Sequence, residues 1–195
     1  SIFGLSTLLS SYQIYNVKDL IAEDNLQHLA LFSEYGRMAL AEEQKSHKDS
    51  SNERVRRPFQ RLDFLVRDYA NFDDEEDDAQ CESDAKRYLE EVFAARTQED
   101  LANTREQITT CFETIGDYLL PHPGLAITKK NYDGSVEKID SNFFRLLNRY
   151  LHRIFNEDLE PKQVHGLDVN ARQLLEFVKA YVELFRDCTI FPEAK

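Results

Sequence analysis

The amino-acid sequence predicts an α/β fold with a mainly parallel sheet flanked by helices. Three short segments with strand character, at 11–16, 61–66 and 118–120, alternate with longer segments whose apolar residues recur at helical spacing. This alternation is typical of parallel sheets, because a helical crossover has to separate each parallel strand from the next. A chain of 195 residues is long enough for one domain with its own core.

The predicted elements begin with the apolar stretch 2–9, which is interpreted as the end of a helix that leads into the strand at 11–16. Asp24, with Gln27 three residues later, has the arrangement of a helix N-terminus. The helix that follows carries Leu26, Leu29, Ser33 and Leu40 at helical spacing, and its pattern fades near Glu43.

Two polar stretches are predicted to be exposed loops. Residues 44–58 are polar and of mixed charge, and they precede the strand at 61–66. Residues 71–84 contain the acidic block 73–78, which lacks the spacing and the glycine turn of a calcium-binding loop. A solvated loop is therefore the preferred interpretation of the block.

Four further helices are predicted from their N-terminal residues. Ser83 and Thr97 are predicted to cap the first two, Asp140 the third, and Asn170, with Gln173 three residues later, the last. We expect the apolar residues at helical spacing to face the core: Ala85, Leu89, Val92 and Phe93; Leu101, Ile108, Cys111 and Phe112; Phe143, Leu147, Tyr150, Leu151 and Ile154; and Leu174, Val178, Tyr181 and Phe185.

Charge and cysteine content restrict the function. A net charge of −12 argues against binding to DNA or RNA, which requires clustered Lys and Arg, but permits a local pocket for a nucleotide. The three widely spaced cysteines, Cys81, Cys111 and Cys188, indicate inert thiols in a reducing compartment. No apolar run approaches the ~18 residues of a membrane span, and the N-terminus has no signal segment.

Two strand ends are candidates for a binding site. The strand at 61–66 ends on the charged pair Arg67–Asp68, and ligands of open α/β sheets bind outside the carboxyl ends of the strands. An ordinary salt bridge at the strand end is the alternative interpretation. After the strand at 118–120, Pro121, His122, Pro123 and Gly124 form a stiff loop of defined shape. His122 is interpreted as a structural residue.

Several segments together resemble the GTPase domain of atlastins, which belong to the dynamin superfamily and are related to guanylate-binding proteins. The order and the spacing of the segments agree with that family over nearly the whole chain. The resemblance rests on residues 3–11, 24–29, 32–37, 64–68, 119–125 and 177–181.

The resemblance implies that the chain is the C-terminal part of a P-loop GTPase domain over residues 1–188, with the start of a linker to a helical domain at 189–195. No G-x-x-x-x-G-K-[ST] phosphate loop occurs in the sequence, which begins with Ser1 inside an apolar run. The phosphate loop, the switch segments and the Mg²⁺ ligands are therefore expected to precede the chain. No catalytic residue and no metal ligand is predicted in this segment, which is expected to be inactive alone.

By the same resemblance, Asp68 selects guanine, and Arg67 packs its guanidinium group near the base. Ile127 is expected to cover the other side of the base, with Leu125 and Ala126 shaping the wall. The full-length protein is expected to bind and hydrolyse GTP, to form homodimers through its GTPase domain, and to fuse membranes at the cytoplasmic face of the endoplasmic reticulum. Membrane contact is expected only through regions outside this chain.

Two alternatives remain open from the sequence. One is a GTP-binding interaction module that has kept the base site but has lost hydrolysis. The other is a soluble GTPase like the guanylate-binding proteins, although the stretch from Leu120 to Leu125 favours the atlastin type.

Overall fold

The computed structural model of the protein describes residues 2–46, 57–72, 77–164 and 166–186. Most of the predicted loop 44–58, the centre of the acidic block 73–78 and the predicted linker at 189–195 lie outside these residues, as does Cys188.

A parallel three-stranded sheet lies at the centre of the fold. Its strands are β1 (Tyr12–Lys18), β2 (Phe59–Arg67) and β3 (Phe112–Leu119), in the spatial order β1-β2-β3. Both pairs are parallel, and Lys18 lies opposite Arg67 in the register. The predicted α/β fold with a parallel sheet flanked by helices is therefore confirmed.

Every predicted helix is present among the described residues. A turn of π-helix at Ile154–Asp158 extends the fifth helix. A short antiparallel pair of strands was not predicted; it consists of β4 (Gln163–Val164) and β5 (Leu167–Asp168). The helices are α1 (Ile2–Leu9), α2 (Glu23–Ser46), α3 (Asp78–Val92), α4 (Glu99–Cys111), α5 (Ser141–Arg153) and α6 (Ala171–Arg186).

Two of the predicted helix N-termini are confirmed in atomic detail. The Asp140 carboxylate accepts hydrogen bonds from the backbone N–H groups of Asn142 and Phe143, at 2.9 and 3.1 Å. Asn170 and Gln173 cap α6 reciprocally, since each side-chain oxygen accepts from the backbone N–H of the other residue at 3.0 and 3.1 Å. These caps satisfy amides that the helices leave unpaired.

The other predicted helix starts are wrong. Ser83 lies inside α3, which begins earlier because the Asp77 carboxylate accepts from the backbone N–H of Gln80 at 2.8 Å. Thr97 is not a cap, since α4 begins at Glu99. The helix α2 begins one residue before Asp24.

One predicted core residue, Phe112, is buried but lies in a different element, and one core prediction is wrong. Phe112 is the first residue of β3 and does not belong to the preceding helix. Leu151 is 42% exposed, whereas Leu146 on the same helix is buried.

The sheet divides the core into two clusters. Leu62, Phe64 and Val66 of β2 face one side, where residues of α1, α2, α3, α4 and α6 pack against them. Leu65 faces the other side, as strand alternation requires, and packs against a smaller cluster under α5. The buried members of this smaller cluster are Tyr118, Leu120, Leu146, Tyr150 and Ile154.

A buried arginine on α4 connects three helices. Arg105 donates to the Glu23 carboxylate at 2.8 and 2.9 Å, to the Val92 carbonyl at 2.7 Å and to the Leu101 carbonyl at 3.0 Å. The hydrogen bonds from Arg105 lower the pKa of Glu23. The first turn of α2, the last turn of α3 and the body of α4 thus share one cation.

Candidate functional site

The carboxyl ends of the three parallel strands meet at one edge of the sheet, and backbone hydrogen bonds join the chain segments there. The N–H of Asp19 donates to the Arg67 carbonyl at 2.8 Å. The N–H of Leu120 donates to the Val66 carbonyl at 2.8 Å, and the N–H of Tyr69 donates to the Leu120 carbonyl at 2.9 Å. The turn after β2 is therefore held between the ends of both neighbouring strands.

Arg67 and Asp68 occupy this turn. Asp68 has φ of 60°, a left-handed conformation that Asp and Asn tolerate better than most residues. Its carboxylate is 15% exposed, whereas the Arg67 side chain is 49% exposed, and Arg67 Nη1 lies 3.8 Å from Asp68 Oδ2. Arg67 Nε also donates to Asn16 Oδ1 on β1 at 3.1 Å. The pair combines a largely enclosed acceptor with an accessible planar cation.

The loop after β3 has a conformation fixed by local bonds. His122 Nδ1 accepts from the N–H of Gly124 at 3.0 Å, which agrees with a structural histidine. Gly124 has φ of 99°, a conformation that favours glycine, and the N–H of Asp140 donates to the Pro123 carbonyl at 2.9 Å. The loop is thereby fastened to the N-terminus of α5.

The loop continues into a 3₁₀ turn at Leu125–Thr128, which contains the predicted apolar wall. Leu125 is 78% exposed, and Ala126 and Ile127 are half-buried. Because β2 and β3 are adjacent and parallel, the Arg67–Asp68 turn and this wall emerge at the same edge of the sheet. The two predicted parts of the site thus arise from neighbouring strand ends.

Sequence reasoning missed a second group of charged residues, located under α5. We call this group the buried ion network; its members are Tyr12, Arg61, Asp63, Arg153 and Asp158. Asp63 is fully buried, and its oxygens lie 3.1 Å from Arg61 Nε and 2.9 Å from Arg153 Nη2. The Tyr12 hydroxyl donates to the same carboxylate. Asp158 Oδ2 lies 2.9 Å from Arg61 Nη2 and 3.3 Å from Arg153 Nε.

The network accounts for the glycine at position 116 and for the protonation state of Tyr12. A Cβ atom at Gly116 would lie 2.6 Å from Asp63 Oδ1, so a larger residue there would have to displace this carboxylate from its partners. Burial, and then the hydrogen bond to Asp63, raise the pKa of Tyr12. Tyr12 is therefore a neutral donor at neutral pH. With two arginines and two aspartates, the network balances its own charge.

The sequence contained one signal of this network, a charged residue between Leu62 and Phe64 in an apolar strand. A buried charge needs partners, which the signal does not identify. The partners Tyr12 and Arg153 lie 51 and 90 residues away in the chain, and only the fold brings them to Asp63.

Asp117 on β3 is a buried carboxylate of a different kind. It is 7% exposed, and its Oδ2 atom has no hydrogen-bond partner among the described residues. Burial, with the nearby Asp63 charge, raises its pKa to about 7.

Among the described residues, no group of three or more His, Cys, Asp or Glu side chains could hold a metal ion. No helix in the same ranges is long and apolar enough to cross a membrane.

A parallel sheet flanked by helices, with loops at the carboxyl ends of its strands, is the architecture of α/β domains. Residues 1–163 match the sequence model of the family "Guanylate-binding protein, N-terminal domain". The chain belongs to this family of GTPases and is of the atlastin type.

Similar curated proteins support this assignment. The chain is 37% identical over 190 residues to "Atlastin-1" of Rattus norvegicus, an alignment that covers 95% of this chain and 32% of the relative. It is 36% identical over 190 residues to "Atlastin-2" of Homo sapiens, covering 95% of this chain and 30% of the relative. The chain therefore spans about a third of the length of the curated relatives that it matches.

Proposed function

We propose that this chain forms the guanine-recognising part of an atlastin-type GTPase, and that Asp68 selects the base. The observation that carries the proposal is the Asp68 carboxylate, which is 15% exposed and lies in a left-handed turn at the carboxyl edge of the sheet. An ionised carboxylate accepts two hydrogen bonds, and guanine offers two donors on one edge, N1–H and its exocyclic amine. Adenine lacks this pair of donors, so it would leave the carboxylate unpaired.

Arg67 and the loop after β3 form the two sides of the proposed base slot. The guanidinium group of Arg67 is planar and accessible, and it can pack on the face of a purine in a way that lysine cannot. Ile127, with Leu125 and Ala126 beside it, supplies the apolar surface on the other side. The bonds at Gly124 and Pro123 stiffen that loop before the nucleotide arrives.

The full-length protein then binds and hydrolyses GTP. Phosphoryl transfer depends on a phosphate loop, Mg²⁺ and groups that position the nucleophile. None of these roles is assigned to a residue of this segment, which is inactive alone under the proposal. By its relation to the atlastins, the full-length protein dimerises through its GTPase domain and acts in membrane fusion at the cytoplasmic face of the endoplasmic reticulum.

A change of base preference tests the role of Asp68. In Asp68→Asn, one acceptor becomes an N–H donor, so GDP affinity of the full-length protein falls on the order of 10²-fold, the cost of about 3 kcal/mol in charged hydrogen bonds. Xanthosine diphosphate, which carries a carbonyl in place of the exocyclic amine, accepts from the new donor and binds the variant better than the wild type does. Calorimetric titration with both nucleotides measures this reversal.

The chain contains a matched control for this experiment. Asp19 follows Lys18 at the end of β1, has φ of 63° and is 64% exposed. Asp19→Asn makes the same chemical change in the same backbone conformation and leaves both affinities unchanged. Equal GDP affinity in Asp68→Asn and wild type refutes the base-reading role. Phosphate release from GTP by the full-length wild type distinguishes a GTPase from a binding module without hydrolysis.

A further inference from the structure

Asn16 lies on β1, one strand away from the Arg67–Asp68 turn. In the parallel register Asn16 is opposite Leu65, and Lys18 is opposite Arg67. The Arg67 side chain crosses to the neighbouring strand, where its Nε donates to Asn16 Oδ1 at 3.1 Å. An exposed asparagine on a strand thus holds a side chain that belongs to the proposed base slot.

The hydrogen bond fixes the orientation of a planar group. Arg67 is held at Nε by Asn16, while Nη1 lies 3.8 Å from Asp68 Oδ2, so two different edges of the guanidinium have neighbours. Contacts at two points of a planar group fix the rotation of its plane about the side-chain axis. Without Asn16, the 49% exposed side chain of Arg67 regains rotamer freedom. The conformational entropy that Arg67 then loses when it is ordered on the base weakens nucleotide binding.

We infer that Asn16 is a positioning residue of the base site, which acts on the nucleotide only through Arg67. The inference rests on the proposed function, since it assumes that the Arg67 plane packs on the base. Asn16 provides one oxygen acceptor at a fixed point of the sheet. Any side chain of similar length that keeps this acceptor fulfils the role.

Two substitutions separate the acceptor from the rest of the side chain. Asn16→Ala removes it, and GDP affinity of the full-length protein falls about threefold to tenfold, the size expected for one exposed hydrogen bond to a charged group. Asn16→Asp keeps an oxygen in place and attracts Arg67 more strongly, so it binds GDP at least as tightly as the wild type. Asn148→Ala, which changes an exposed asparagine on α5, is the control and leaves the affinity unchanged.

A double-mutant cycle shows whether Asn16 acts through Arg67. In the Arg67→Ala background, Asn16→Ala has no further effect on GDP affinity, because the group that Asn16 positions is gone. A structural role would instead lower the melting temperature and reduce affinity equally in both backgrounds. Additive losses in the cycle, or weak GDP binding by Asn16→Asp, overturn the inference.

The outcomes also separate this inference from the proposed function. If Asp68→Asn keeps wild-type GDP affinity, the base site itself is wrong. If Asp68→Asn loses affinity while Asn16→Ala keeps it, Asp68 reads the base and the positioning role of Asn16 alone is refuted.

Discussion

The strand β2 and the turn that follows it carry two arginine–aspartate pairs that differ in almost every physical respect. Asp63 is fully buried beside two arginines that are about one-fifth exposed, whereas Asp68 keeps 15% of its side chain accessible beside an Arg67 that is half exposed. The Arg61–Asp63 contact is 3.1 Å, and the Arg67–Asp68 contact is 3.8 Å. The same two residue types therefore stabilise the fold in the middle of a strand and leave hydrogen-bonding capacity for a ligand at its end.

The largest effect is expected from the inner pair. Asp63→Ala leaves Arg61 and Arg153 with an uncompensated positive charge under α5, and the free energy of unfolding falls by about 3–5 kcal/mol. Urea denaturation measures this loss. The double variant Asp63→Leu, Arg153→Leu keeps the network neutral, since Arg61 retains Asp158, and recovers a large part of the stability. If the single variant is as stable as the wild type, the network does not contribute to the fold.

A smaller effect, which depends on pH, is expected from the buried carboxylate of Asp117, whose Oδ2 atom has no hydrogen-bond partner in the part of the chain that the structure describes. The folded-state pKa of Asp117 is about 7, whereas an unfolded aspartate titrates near about 4. Between these values the folded protein holds a proton that the unfolded chain has released, so the free energy of unfolding falls as pH rises, by up to about 1.4 kcal/mol per pH unit. Below pH 4 both states are protonated, and the contribution is fully present.

Asp117→Asn removes this pH dependence and stabilises the protein by about 1–3 kcal/mol at pH 8, with little gain at pH 4. Thermal melts of both proteins across this range measure the difference. Asp19→Asn, which changes an exposed carboxylate, is the control and keeps the wild-type profile. Superimposable profiles of Asp117→Asn and wild type would show that Asp117 is ionised in the folded state at neutral pH.

The smallest effect on stability is expected from the outer pair. Asp68→Asn changes the free energy of unfolding by less than about 0.5 kcal/mol, because asparagine tolerates the left-handed turn and the ion pair is loose. Asp68→Ala costs about 1–2 kcal/mol, the penalty of a left-handed residue without a helpful side chain. Chemical denaturation of both variants tests the comparison directly. A loss as large as that of Asp63→Ala would make Asp68 a structural residue.

Helix α6 and its cap were predictable because Asn170 and Gln173 are three residues apart, and the Arg67–Asp68 turn because an apolar strand ends on a charged pair. Most of β3 was not predicted: it starts directly after α4, and its exposed residues Glu113 and Thr114 hide the apolar pattern.

The parts of the site that escaped prediction depend on contacts between distant segments. Asn16 is an unremarkable strand residue until the register of β1 and β2 places it beside Arg67. Asp63 likewise needs the end of α5 to bring Arg153 to it. Local patterns specified the caps of α5 and α6 and the end of β2, whereas the partners of a side chain follow from the packing of elements.

The cation shared by three helices has a consequence for local opening. Since Arg105 bonds at once to Glu23, Val92 and Leu101, the start of α2 and the end of α3 cannot separate from α4 one at a time without stranding a buried guanidinium. We therefore expect the three segments to form one unit in hydrogen exchange, whose amides open together. The end of α3 packs on the face of the sheet opposite the buried ion network, whereas its start contacts α5 through the ion pairs of Asp78 with Arg145 and Arg149.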